Sequence, residues 1–86
     1  MTCPNADVAE RVVTVLKRIS HEPIAPRLEN ALIGDLGFDS LRLLEVVAEL
    51  EDEFGIFIPL NDLPAIATVG QAVDRVSALL REQRRA

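Results

Sequence analysis

The stretch GDLGFDSLRLLEVVAELEDEFGI, residues 34–56, decides how the chain is read. Ser40 to Phe54 has helical spacing, with Asp39 as an N-cap in front and Gly55 as a stop signal behind. With Leu43 set at zero and about 100° added per residue, Val46, Val47, Leu50 and Phe54 fall within about 60° of it, so that side is the core face. Leu41, Leu44, Glu45, Ala48 and Asp52 fall opposite, between roughly 100° and 200°. A single exposed leucine is ordinary. Two of them ringed by acids, across the helix from a complete core face, point to a surface that meets another molecule.

The head of this helix carries a second signal. Gly37 lets the chain turn tightly before it. Ser40 then stands in the first helical turn, close to unpaired backbone N–H groups and the positive end of the helix dipole. A phosphate ester is stabilised there, and a hydroxyl there is open to modification. An Asp-Ser pair taken alone also reads simply as a helix cap.

Upstream, Val8, Val12, Val15, Leu16 and Ile19 recur at helical spacing, which predicts a first helix from about Ala6 to Ser20 with Glu10, Arg11, Lys17 and Arg18 facing away. A long irregular stretch follows from His21 to Phe38, where Pro23 and Pro26 rule out an early helix. Ile24, Leu28, Leu32 and Leu36 recur along it and are expected to pin it to the core. Downstream, Ile56-Phe57-Ile58-Pro59 reads as extended or turning, and Asn61 to Ala65 as one short helical turn interrupted by Pro64. Thr68 and Gln71 form a capping box for a last helix, whose apolar stripe is Val69, Val73, Val76 and Leu80. Three longer helices, a short third one and no strand pattern predict an all-α four-helix bundle, built as a single domain over residues 1–86.

The net charge of −5 is unevenly placed. Residues 35–53 hold Asp35, Asp39, Glu45, Glu49, Glu51, Asp52 and Glu53 against Arg42 alone, a balance of −6, and the rest of the chain carries +1. Such a run suits either a solvated helix face or a docking surface for basic partners. Nucleic acid is a poor candidate for a partner, because Arg81, Arg84 and Arg85 are too few and too terminal to neutralise phosphates. Gly34-Asp35-Leu36-Gly37 spells a Gly-x-x-Gly loop, but in an acidic setting. With three Phe, no Trp and no Tyr there is no broad stacking platform.

One cysteine, Cys3, allows no internal disulfide, and with His21 it cannot build a zinc site. The acids lack calcium-loop spacing, so no metal is expected. No apolar run reaches membrane-spanning length and no signal-peptide pattern opens the chain, so a soluble cytoplasmic protein is expected, away from membranes; it is also expected to be a monomer. Catalysis is not expected. A triad through Ser40 would need His21 from a Pro-rich loop, no Gly-x-Ser-x-Gly elbow exists, and Cys3 has no activating charge nearby.

Taken together, Asp35-Leu36-Gly37-x-Asp39-Ser40-Leu41, the acidic and apolar helix ending Glu51-Asp52-Glu53-Phe54-Gly55-Ile56, Ile58-Pro59 and the Thr68-Val69-Gly70-Gln71 start of the last helix closely resemble the acyl carrier protein family over nearly the full chain. The resemblance implies 4′-phosphopantetheine, taken from coenzyme A by a phosphopantetheinyl transferase and attached to Ser40. Acyl groups would ride on its thiol as thioesters. It also implies that Asp39, Leu41, Leu44, Glu45, Ala48, Glu49 and Asp52 form the recognition surface for loading enzymes, acyltransferases or ketosynthases with basic docking surfaces. An acyl chain would shelter near Val46, Leu50 and Val73. Phe38 has two open placements, toward partners and the arm or packed on the loop.

Arg42 stands where fatty-acid-type carriers often have an acid, and the short third helix offers only Asp62. Both departures direct the expectation toward polyketide or mixed polyketide–nonribosomal pathways beside fatty-acid-type ones. Gly-Phe-Asp-Ser-Leu fits an acyl carrier better than a peptidyl carrier. With its own Met1 and no linker, a free-standing carrier is expected. The alternatives are an aminoacyl or peptidyl carrier of a nonribosomal pathway and an unmodified helical interaction module.

Overall fold

The computed structural model of the chain describes residues 4–20 and 24–83. Cys3, His21, Pro23, Arg84 and Arg85 lie outside the described residues. Helix α1 spans Pro4–Ile19, α2 spans Ser40–Phe54, a short 3₁₀ helix spans Leu60–Ala65, and α3 spans Val69–Gln83. The fold is all-α. The expected short third helix is present in the tighter 3₁₀ form, which suits a six-residue segment carrying Pro64.

Helix α1 packs against both α2 and α3, which touch each other much less. Val8, Val12, Val15 and Leu16 of α1, Val46, Val47, Leu50 and Phe54 of α2, and Val69, Ala72, Val73, Val76 and Leu79 of α3 are buried in one core. Fully burying one such side chain stabilises the fold by about 1.5–3 kcal/mol, set against a comparable ordering entropy. Ile56, Ile58 and Ile66 close the end near the 3₁₀ helix.

The helix ends follow from their residues. Gly55 takes a left-handed conformation (φ 64°, ψ 41°) and donates its N–H to the Glu51 carbonyl at 2.9 Å, an arrangement glycine adopts without strain. At the start of α3, Thr68 Oγ1 accepts from Gln71 N–H at 3.1 Å, while Gln71 Oε1 accepts from the N–H groups of Thr68 and Ala67 at 3.0 and 2.9 Å. The capping box is reciprocal, as its spacing predicts.

The long first loop is fastened to that same start. Gly70 N–H donates to the Leu28 carbonyl at 2.8 Å, Val69 N–H to Asn30 at 3.0 Å, and Leu32 N–H to Ala67 at 2.9 Å, with Ala31 and Thr68 facing each other in an isolated antiparallel bridge. A Cβ on Gly70 would lie 3.1 Å from the Leu28 carbonyl oxygen, so any larger residue there would push the loop back by a few tenths of an ångström. Leu32 is fully buried, and Ile24 and Leu36 pack on the core. Leu28 does not: its side chain is 54% exposed. The loop is held there by backbone hydrogen bonds, which leave the side chain free of the core.

The charged residues of α1 also depart from expectation. Arg11 and Arg18 reach across to α2 instead of simply facing away. Arg11 Nε donates to Glu53 Oε2 at 3.1 Å and Nη2 to the Glu53 carbonyl at 2.8 Å. Arg18 pairs with Glu49 at 3.0 Å and Glu53 at 3.8 Å. The long arginine stems allow residues on the flank of the apolar stripe to span the gap. Beyond α2, Gln83 clasps Phe57 from the last turn of α3: its Oε1 accepts from Phe57 N–H at 2.9 Å and its Nε2 donates to the Phe57 carbonyl at 2.8 Å.

Candidate functional site

Ser40 is the first residue of α2 and is exposed. Asp39 before it is extended (φ −88°, ψ −179°), and its Oδ1 accepts from Arg42 N–H at 2.7 Å. Its carbonyl accepts the first helical bond, from Leu43 N–H at 2.8 Å. Asp39 is thus the N-cap that the sequence predicts. It satisfies one first-turn donor and leaves the N–H groups ahead of it pointing out of the helix beside the serine.

The approach to Ser40 is fixed on its loop side. Gly37 has φ +78°, the left-handed turn its position requires. Phe38, whose placement the sequence leaves open, is 2% exposed and belongs to the core, with its N–H donating to the Leu32 carbonyl at 3.0 Å. A buried aromatic one residue before the cap anchors the head of α2 and leaves the serine outward.

Leu41 is 71% exposed and Leu44 46%. Glu45, Ala48 and Asp52 are also exposed. Opposite them, Val46, Val47, Leu50 and Phe54 are buried, so the two-faced reading of this helix holds. Val46, Leu50 and Val73, the positions linked to acyl shelter, all lie in the closed core.

The acidic run divides into unlike roles that a charge count does not separate. Asp35 Oδ2 accepts from Ala31 N–H at 2.8 Å, and Glu51 Oε2 from Ile58 N–H at 2.8 Å. Asp39 caps α2, while Glu49 and Glu53 face the arginines of α1. Glu45 pairs with Arg42 at 3.0 Å. Asp52 is exposed, and no hydrogen bond or ion pair joins it to another described residue. Asp62 lies 3.8 Å from Arg75. Among the described residues no group of three or more His, Cys, Asp or Glu is placed to hold a metal ion, and no helix is long and apolar enough to cross a membrane.

These features fit a pantetheine phosphate. A hydroxyl stands exposed at a helix start, beside outward N–H groups, with the left-handed Gly37 turning the chain into it. The phosphopantetheine attachment site family matches residues 6–76. The fold is similar to that of a solved chain assigned as an acyl carrier protein of Mycobacterium tuberculosis, with a TM-score of 0.78 and 37% sequence identity, covering 83% of this chain and 96% of that one. The cofactor of the present chain is therefore phosphopantetheine, delivered by a phosphopantetheinyl transferase, and the protein is a carrier rather than an enzyme. With its exposed helix-head serine, acid-ringed apolar face and acyl-carrier-like bundle, the chain belongs to the family of phosphopantetheine-carrying carrier proteins.

Proposed function

We propose that Ser40 is the residue that receives the arm, and that the chain is an acyl carrier protein. It shuttles acyl intermediates between cytoplasmic enzymes of polyketide, mixed polyketide–nonribosomal or fatty-acid-type biosynthesis. The observation that carries this reading is the exposed Ser40 at the capped start of α2, directly beside the exposed Leu41. In the attachment reaction Ser40 Oγ attacks the pantetheine-side phosphorus of coenzyme A. A new O–P bond forms, the pyrophosphate P–O bond breaks, adenosine 3′,5′-bisphosphate leaves, and the serine proton passes to the transferase. Once attached, the arm supplies the terminal thiol that holds cargo as a thioester.

The chain's own residues do the rest. Asp39 holds the head of α2, and Phe38 fixes its depth. Asp39, Leu41, Leu44, Glu45, Ala48, Glu49 and Asp52 form the proposed surface for the transferase and for loading enzymes, acyltransferases or ketosynthases. Leu41 and Leu44 offer apolar contact, and Glu45 and Asp52 attract a basic cleft. Glu49 contributes at the edge, because Arg18 already faces it. A surface of this modest extent suits a carrier that must leave each partner quickly. The single carrier domain is proposed to work as a monomer.

Loading tests the reading. A phosphopantetheinyl transferase supplied with an acyl-coenzyme A should place cargo on the peptide containing Ser40, and hydroxylamine should release it as expected of a thioester. A folded chain that accepts no cargo would favour the unmodified interaction module.

A further inference from the structure

We propose that Asp35 is a positioning residue for modification of Ser40, acting as a hydrogen-bond acceptor and not as a charge that the transferase reads. The inference rests on the carrier reading above. It starts from Ala31, where the loop closes on itself. Ala31 N–H donates to Asp35 Oδ2 at 2.8 Å, and the Ala31 carbonyl accepts from the N–H groups of Asp35 and Leu36 at 3.0 and 3.1 Å. Its neighbours Asn30 and Leu32 are bonded to Val69 and Ala67, so Ala31 is fixed on the start of α3. From this closed turn the chain runs through the left-handed Gly37 and the buried Phe38 to the cap at Asp39.

The carboxylate of Asp35 therefore ties the segment leading to Ser40 to a point held by α3. Without it, the Ala31 N–H loses its partner and the turn from Ala31 to Leu36 keeps only its carbonyl side. Leu32, Phe38 and the Asp39 cap still hold the helix, so the fold survives while the approach to the serine loosens. Small displacements of a reacting group reduce turnover without removing the surface that binds the partner. The exposed face of α2 contains no part of this turn, so binding of the transferase is left in place.

Acceptor and charge make opposite demands on two conservative variants. Asp35→Asn keeps a side-chain oxygen at the same reach and removes the charge. Asp35→Glu keeps the charge and moves the oxygen by one methylene. Steady-state modification of the full chain by a broad-specificity phosphopantetheinyl transferase with coenzyme A, with the carrier as the varied substrate, separates them. Asp35→Asn should modify within about twofold of wild type, whereas Asp35→Glu and Asp35→Ala should lose about five- to tenfold in kcat with KM little changed, as expected for mispositioning. Exchange of the Ala31 amide should quicken in the same two variants. Equal loss in Asp35→Asn and Asp35→Ala, expressed in KM, would overturn the proposal in favour of a docking charge. Wild-type rates in all three would also overturn it while leaving the carrier reading intact. Failure of the wild-type chain to gain the arm would be a failure of the carrier reading itself.

Discussion

Arg11 lies over the ring of Phe54, with its guanidinium carbon 4.5 Å from the ring centroid. Through Nε and Nη2 the same side chain holds both the carboxylate and the backbone carbonyl of Glu53. One residue thus joins α1 to the C-terminal turn of α2 by a cation–π contact, an ion pair and a carbonyl cap. Arg11→Ala should cost about 1–2 kcal/mol in urea unfolding. Among the described residues Arg18 pairs with the half-buried Glu49 and Glu53 from a largely exposed side chain, and Arg18→Ala should change stability by less than about 0.5 kcal/mol. Equal effects of the two substitutions would contradict this division.

Gly37 and Gly55 both have positive φ, and a Cβ at either would meet nothing within 4 Å. Alanine at each position should therefore cost only the backbone strain, about 1 kcal/mol by denaturant melt. The Gly37→Ala chain should in addition accept phosphopantetheine more slowly than the Gly55→Ala chain, since only the first turn leads into Ser40.

Ser77 is 7% exposed, and its Oγ finds no hydrogen-bond partner among the described residues. Ser77→Ala removes an unsatisfied buried hydroxyl and improves helix propensity, so it should stabilise the protein by about 1 kcal/mol. A lower Tm in the variant would mean that the hydroxyl is satisfied in solution.

Much of this was legible in the residues. The core face of α2 follows from the 3.6-residue period alone, and the caps at Asp39, Gly55 and Thr68–Gln71 follow from short-range chemistry that needs no tertiary information. The remainder depends on how distant segments meet. The Ala31–Thr68 bridge is too short to leave a strand period. Leu28 sits at an apolar spacing, yet its backbone makes the contact and its side chain does not. Seven acids over residues 35–53 look alike as charges. Only the fold shows that Asp35 and Glu51 accept loop amides, while Asp52 is left facing outward.

That difference makes Asp52 the sharpest probe of docking. Asp52→Lys should leave stability within about 0.5 kcal/mol, as befits an exposed residue without partners among the described residues. It should also slow association with a basic partner, by an amount that shrinks as salt is raised. Glu53→Lys should instead destabilise the fold, because it faces Arg11 and Arg18. Transferase kcat/KM across a salt series, beside the unfolding curves, distinguishes the two.

Every role proposed for this chain requires that Ser40 carries the arm. Intact mass of the full chain after incubation with coenzyme A and a broad-specificity phosphopantetheinyl transferase, beside Ser40→Ala, tests it most directly. The wild type should gain one phosphopantetheine unit and Ser40→Ala none. A folded wild-type chain that gains nothing, or a unit gained equally by both chains, would contradict it.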